Sequence, residues 1–257
     1  MSAPSPDSHP LKGKVALVTG GTGGIGASIC IALAQAGATV NVGFSRSGDA
    51  AQALVTSLHC TGPDHRARHA DVTDSSQLYG VAKAIGIEHG RLDLLVNCAG
   101  ITRFVPHPDL DDLDDPLIDT ILTTNVRGAF AATRACRGLL AAHGDGCVVN
   151  ISSIAARTAM GSNIAYCASK AALDNMTMSL ARALAPKIRV ISVSPGLSDT
   201  DFVRQMDAAW RDEQALRTPL RRLAAPDEIA QAVIAAATVL RFTTGAIIPV
   251  DGGRPLA

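Results

Sequence analysis

The chain has 257 residues, enough for one large domain with a substantial apolar core. Its 23 Lys plus Arg balance its 23 Asp plus Glu, which leaves no basic field for nucleic acid and no acidic tail. Apolar residues reach 47% but aromatic ones only 3%, so the core is expected to consist of Ala, Val, Ile and Leu, as suits parallel strands covered by alanine-rich helices.

Residues 1–10 are polar and rich in Ser and Pro, and read as a flexible tail rather than a signal peptide. No stretch has the length and apolarity of a membrane span, so a cytoplasmic protein that engages no membrane is the default expectation. Val15, Ala16, Leu17 and Val18 form a continuous apolar run, the mark of a strand buried on both faces; Ile25, Ile29, Leu33 and Ala36 then follow at helical spacing, stopped by Gly37. The same reading places strands over residues 39–44, 68–71, 94–96, 147–151, 189–193 and 246–250, and helices over 50–58, 117–143 (with a break), 166–184 and 226–240. Strands separated by helix-length segments require right-handed crossovers. The expected class is therefore α/β: a single Rossmann-type, doubly wound parallel sheet of about seven strands with helices on both faces, in one domain over residues 11–257.

Six cysteines, Cys30, Cys60, Cys98, Cys136, Cys147 and Cys167, are scattered without a C-x-x-C pair. Reduced, buried thiols are expected, with neither a metal site nor a disulfide framework. Cys98 and Cys167 lie inside motifs described below, and their modification is expected to block activity.

The first strand runs into a glycine string that opens the first helix. Gly21, Gly23 and Gly26 match G-x-G-x-x-G, whereas Gly20, Gly24 and Gly26 match a second register, T-G-x-x-x-G-x-G. Either allows a tight turn and lets backbone approach a pyrophosphate at a helix N-terminus, and the strand before and helix after supply the context that dinucleotide binding requires. Further along, Tyr166 and Lys170 stand four apart, on one helix face, with Ser153 thirteen residues upstream. An ammonium held beside a phenol favours the phenolate, which makes tyrosine usable as an acid or base near neutral pH. A surface Tyr–Lys pair at chance spacing is the competing account.

Thr19, Gly20, Gly24, Ile25 and Gly26, then Asn97, Cys98, Ala99 and Gly100, Asn125, Ser153, Tyr166 with Lys170, and Ser194, Pro195 and Gly196 stand in the order and spacing of the short-chain dehydrogenase/reductase family, which the chain resembles over residues 11–254. Residues 97–103 and the ending Val250, Asp251, Gly252 and Gly253 look most like the 3-oxoacyl-acyl-carrier-protein reductase group, although the family more often has Asn where Cys98 stands. The resemblance selects the second glycine register. It implies that Tyr166 donates the proton, Ser153 holds the carbonyl, Lys170 tunes Tyr166 and binds the nicotinamide ribose, and Asn125 organises a proton-supplying water chain. It further implies a dinucleotide site formed by Gly20, Thr22, Gly24, Ile25 and Gly26, by Asp71 and Val72 at the adenine, by Asn97, Ala99 and Gly100 along the cleft, and by Pro195, Gly196 and Thr200 beside the nicotinamide. Residues 197–223 would be a mobile flap over the substrate. In it, Phe202, Met206 and Trp210 repeat at four-residue spacing, either as a packing stripe or as a binding face. Arg103 and His107 read first as exposed loop residues.

An Asp or Glu at the end of strand two would accept hydrogen bonds from an adenosine 2′-hydroxyl. Phe44 stands there, followed by Ser45, Arg46 and Ser47, and the arginine fork with two flanking hydroxyls suits a 2′-phosphate; Asp49 lies several residues past the strand and is discounted. NADP(H) is therefore expected over NAD(H), in an oxidoreductase that reduces a ketone, a 3-oxoacyl thioester or related β-keto or cyclic ketone. The alternatives are an alcohol or sugar dehydrogenase working oxidatively, and a catalytically silent dinucleotide sensor on the same fold. The small-residue faces of the helices near 125–143 and 166–184 suit a homodimer or homotetramer.

Overall fold

In the computed structural model of the protein, which describes residues 9–58 and 64–256, the first strand, β1 (Val15–Thr19), is buried at every position. Its side chains divide alternately between two cores: Ala16 and Val18 face one, Val15 and Leu17 the other. That division is why the run shows no polar alternation, since both faces of the strand are covered by helices. Six further strands complete the sheet: β2 (Thr39–Phe44), β3 (Arg66–His69), β4 (Leu94–Asn97), β5 (Gly146–Ile151), β6 (Ile188–Pro195) and β7 (Ile247–Val250). The order is β3-β2-β1-β4-β5-β6-β7 and all neighbouring pairs are parallel. The direction of winding reverses between β1 and β4, so a crevice opens at the carboxyl ends of these two strands.

One core lies under α1 (Gly24–Gln35), α2 (Gly48–Leu58) and α10 (Pro226–Thr238), where Ile29, Leu33, Val55, Ile229 and Val233 meet the sheet. The other lies under α3 (Ser75–His89), α5 (Ala129–Ala141) and α7 (Ile164–Leu184), through Leu78, Ile85, Ala132, Leu140 and Ala181. The expected class and sheet are thus found, with several shifted boundaries. The third strand occupies 66–69 rather than 68–71, because Asn41 pairs with Arg66 and Phe44 with His69; past the ladder, the Asp71 carboxylate folds the chain into a turn by accepting from the Thr73 amide at 2.8 Å. The helix expected at 166 starts at Ile164, capped by Asn163, and the one over 117–143 ends at Ala141.

The break foreseen in that helix is a six-residue π-helical segment, Thr123–Gly128, between α4 (Asp115–Leu122) and α5. In 197–223, α8 (Asp201–Arg204) and α9 (Ala208–Leu216) are separated by Asp207, whose carboxylate caps α9 at the Trp210 amide, 2.9 Å away. Met206 and Trp210 therefore share no helix, which leaves a shared packing stripe without support as the account of their spacing. The tail residues 1–8 and Cys60 lie outside the described residues. Among the described residues, no helix is long and apolar enough to cross a membrane and no group of three His, Cys, Asp or Glu could hold a metal ion.

Candidate active site

At the mouth of the β1/β4 crevice, the glycine turn is closely packed at Gly20, Gly21 and Gly26 and open at Gly23. Gly20 adopts φ +64°, a left-handed conformation open to glycine, and a Cβ there would lie 2.7 Å from the Ala99 Cα. A Cβ on Gly26 would lie 2.2 Å from the Gly20 carbonyl oxygen, whereas one on Gly23 would meet nothing closer than 3.6 Å. Thr19 ties this turn to β4: its hydroxyl accepts from the Cys98 and Ala99 amides, both at 3.2 Å. The first turn of α1, which begins at Gly24 and Ile25, has no side-chain cap and no acidic residue. Such a terminus suits an anion. Thr200 reaches back from the segment after β6 and packs on Gly24, where a Cβ would meet its side chain at 3.0 Å.

Tyr166 and Lys170 lie on α7, with the Lys170 ammonium 5.6 Å from the centre of the Tyr166 ring. Lys170 is buried and donates to the Ile151 carbonyl at the end of β5, 2.8 Å away. Anchoring by one bond fixes the ammonium while using one of its three donors. Ser153 lies two residues beyond β5, so strand alternation alone does not orient it. Instead Ser152 is the buried member of the pair, and the half-buried Ser153 hydroxyl oxygen accepts at 3.1 Å from the amide of Ala155, the first residue of the short helix α6 (Ala155–Thr158). Accepting there leaves the Ser153 proton for donation.

Asn125 sits in the π-helical segment, a distortion common at functional sites. Its carboxamide grips the backbone of Ile101 twice, accepting from the amide at 2.8 Å and donating to the carbonyl at 3.0 Å; the same amide nitrogen donates to the Ser169 hydroxyl at 3.1 Å. Ser169 in turn donates to the Tyr166 carbonyl at 2.7 Å. Gly100 closes the group: a Cβ there would be 3.4 Å from Asn125 Oδ1 and 3.7 Å from Lys170 Nζ. Tyr166, Lys170, Asn125 and Gly100 are thus brought together, joined through Ser169, a residue sequence reasoning passed over.

The Asn97 side chain turns away from the crevice into a buried polar network, donating to Asn150 Oδ1 at 2.8 Å and to Thr133 Oγ1 at 3.2 Å, while Asn150 donates to Thr177 Oγ1 at 2.8 Å. Val72 packs its side chain against Gly128, where a Cβ would come within 2.7 Å of it. Asp71 spends one carboxylate oxygen on the Thr73 amide and hydroxyl. Ser45, Arg46 and Ser47 are exposed just past β2. Arg66 and Arg68 on the adjoining strand are occupied by Asp64 and Glu88, while Arg46 enters no ion pair among the described residues. Asp49 is the second residue of α2 and exposed. Pro195 closes β6, and Gly196 lets the chain pass Asp251, whose Cα would be 3.0 Å from a Cβ. Arg103 is exposed and donates to the Asp112 carbonyl at 2.7 Å, whereas the buried His107 Nε2 has no hydrogen-bond partner among the described residues.

Burial pushes the Cys98 thiol up to about 11 despite the opposing pull of the Lys170 ammonium, and burial also raises Cys167. Both thiols are therefore protonated and weakly nucleophilic at neutral pH. A hollow of about 490 Å³ lies at the opposite, amino-terminal edge of the sheet, bordered by Lys14, Asp93, Asp145 and Arg241, none of which belongs to the candidate site. Its rim is closed by ion pairs, Lys14–Asp93 at 3.1 Å and Arg241–Asp145 at 2.6 Å.

Residues 14–211 match the model of the short chain dehydrogenase family. The chain belongs to that family. Its members are oxidoreductases that use a nicotinamide dinucleotide and act on alcohol or ketone groups. Within the short-chain dehydrogenases, the chain is 37% identical to the cis-4-hydroxycyclohexanecarboxylate dehydrogenase of Sinomonas cyclohexanicum, covering 93% of this chain and 96% of the relative. It is 33% identical to the 3-oxoacyl-(acyl-carrier-protein) reductase of Thermotoga maritima, over 95% of this chain and 98% of the relative. The fold superposes with TM-score 0.89 and 30% identity on a crystal structure of a gluconate 5-dehydrogenase from Burkholderia cenocepacia J2315 in complex with NADP and tartrate, covering 98% of each chain.

Proposed function

We propose that the protein reduces a ketone to a secondary alcohol with NADP(H), using Tyr166 as the proton donor. The observation that carries this reading is the buried Lys170 ammonium, anchored by the Ile151 carbonyl and 5.6 Å from the centre of the Tyr166 ring; the Ser153 hydroxyl, two residues past Ile151, keeps its proton for donation. The residues fit the dinucleotide: the turn at Gly20 and Gly26 leaves no space for side chains, and Lys170 has donors to spare for a ribose. When bound, the reduced nicotinamide supplies the hydride that the carbonyl carbon accepts. Ser153 donates to the carbonyl oxygen and so acts where negative charge grows. Tyr166 transfers its phenolic proton to that oxygen, completing the alcohol, and the Lys170 cation stabilises the phenolate left behind. Asn125, by gripping Ile101 and bonding Ser169, holds the loop and helix between which the proton is resupplied.

Arg46 supports NADP(H), since its free fork suits a 2′-phosphate and no acid ends β2. Exposed Asp109, Asp111, Asp112 and Asp114 crowd the loop after Arg103, with Asp115 opening α4 beside them, and their field favours an uncharged β-keto or cyclic ketone over a polyanionic thioester carrier. The same groups run the oxidation in reverse, a direction favoured by the likeness to the cyclohexanecarboxylate and gluconate dehydrogenases. Exposed Phe130 on α5 and Met178 on α7 suit a homodimer or homotetramer, which light scattering would read.

The test follows reduced-nicotinamide absorbance with NADPH and NADH against ethyl acetoacetate, an acetoacetyl thioester and cyclohexanone, and the oxidised cofactors against a cyclic alcohol and a sugar acid. In Tyr166→Phe, turnover is expected to fall by at least about 100-fold with NADPH binding unchanged. A variant that keeps its turnover removes Tyr166 from the chemistry; a wild-type protein that binds NADPH and turns over none of the probes favours the silent sensor.

A further inference from the structure

Asn163 has no exposed surface, and each polar atom of its side chain is engaged. Its Oδ1 accepts from the Tyr166 amide at 2.7 Å, capping α7 at the residue that carries the phenol. Its Nδ2 donates to the Arg103 carbonyl at 2.7 Å and to the Thr102 hydroxyl at 3.2 Å, sixty and more positions away in sequence. The orientation of the carboxamide is dictated by its partners, because an amide N–H can only donate and a carbonyl can only accept. Thr102 also bonds the Ser162 hydroxyl, and the Val105 amide donates to the Ser162 carbonyl at 2.8 Å. Loop 101–105 is thus seated at one end by Asn125 on Ile101 and along its length by Asn163 and Ser162.

We propose that Asn163 is a positioning residue that holds loop 101–105 in fixed register with Tyr166 and thereby sets affinity for the ketone. The proposal rests on the reading in which Tyr166 is the proton donor. A residue needing one acceptor and two donors at this point explains why a generic helix cap does not suffice: Ser or Asp would cap Tyr166 equally well but could not hold the loop. An Asp would in addition set a carboxylate against the Arg103 carbonyl.

Asn163→Ser keeps the cap and removes the strap. In the full-length protein with ethyl acetoacetate as probe, the KM for the ester is expected to rise about tenfold, a loss of about 1.4 kcal/mol, while the KM for NADPH stays within about twofold. The pH profile of kcat should not move, since Lys170 and Tyr166 are untouched. Hydrogen exchange at the Val105 amide should accelerate, independently of any turnover. An unchanged ester KM, or ester and NADPH KM values rising in parallel, overturns the proposal, as does Val105 exchange at the wild-type rate. Should Asn163→Ser fail to fold, Thr102→Val removes one of the two bonds donated by Asn163 together with the Thr102–Ser162 bond that seats the same loop, with an expected ester KM about threefold higher by the same arithmetic; no change there overturns it equally. Full turnover by Tyr166→Phe would instead sink the catalytic reading while leaving the exchange result standing, so the two failures are separable.

Discussion

Replacing Gly26 with Ala tests the architecture of the glycine turn against a near neighbour that should tolerate the same change. The added methyl would lie 2.2 Å from the Gly20 carbonyl oxygen and 3.0 Å from both the Gly20 carbonyl carbon and the Gly21 Cα. All three are backbone atoms, so no rotamer change relieves the clash. The α1 start and the turn must separate by roughly 1 Å, at an overpacking cost of about 1–3 kcal/mol. The turn amides move with them, and NADPH affinity is expected to fall at least about tenfold, or about 1.4 kcal/mol. Gly23→Ala is the control: Gly23 has φ −74° and ψ 163°, open to any residue, and its nearest contact would be an ordinary 3.6 Å. At this N-cap position it should cost about 0.5–1 kcal/mol and leave affinity nearly unchanged. Denaturant unfolding gives the stabilities and fluorescence titration with NADPH gives the affinities. Equal damage from the two substitutions, or wild-type binding by Gly26→Ala, would refute the assignment of the turn to Gly20, Gly24 and Gly26.

Arg46→Ala should raise the KM for NADPH by about tenfold or more and that for NADH by less than about twofold, as expected for loss of a charge-assisted phosphate contact; parallel changes would remove Arg46 from cofactor choice. Burial alone would raise the Asp93 carboxyl, but hydrogen bonds from Arg91, the Val15 amide and Lys14 outweigh it and hold the group below its ordinary value of 3.8. The resulting stability is complete above the unfolded pKa and is lost as pH falls through the lower folded one, so Asp93→Asn should flatten the dependence of unfolding free energy on pH below about 4. Chemical denaturation between pH 2 and 6 reads it, and an unaltered slope would exclude Asp93 as the source. The acidic loop at 109–115 should make kcat/KM for acetoacetyl-CoA rise with salt from about 10 to 200 mM while that for ethyl acetoacetate stays level; identical salt responses would count against electrostatic selection.

What the sequence disclosed followed from how strongly each pattern was constrained. A four-residue apolar run such as Val15 to Val18 has few places to go but a doubly covered strand, and the glycine string directly after it fixes where the crevice opens. The third strand was misplaced by two residues because Arg66 to His69 is a polar edge strand with no hydrophobic pattern to mark its ends. The resemblance places Asn97 along the cofactor cleft, whereas strand alternation puts its side chain on the Leu95 face, towards α5 and the Thr133 hydroxyl. Asn163 carried a readable signal, an Asn three residues before the amide it caps, yet its grip on Arg103 spans the fold and no local pattern reveals it.

The π-helical segment Thr123–Gly128 amounts to one residue more than a regular helix would hold. Each residue of an α-helix turns the chain by about 100°, so deleting one position there would let α4 and α5 fuse while rotating everything on one side of the splice. Asn125 would swing off Ile101, or the Ala131, Ala132 and Leu140 face would swing off the sheet. Length in this stretch is therefore constrained alongside the side chains of Asn125 and Gly128: the half-buried Val126 is expected to tolerate exchange, but the chain is not expected to tolerate shortening there. Libraries that vary this enzyme by insertion and deletion should find 123–128 intolerant even where point substitutions survive.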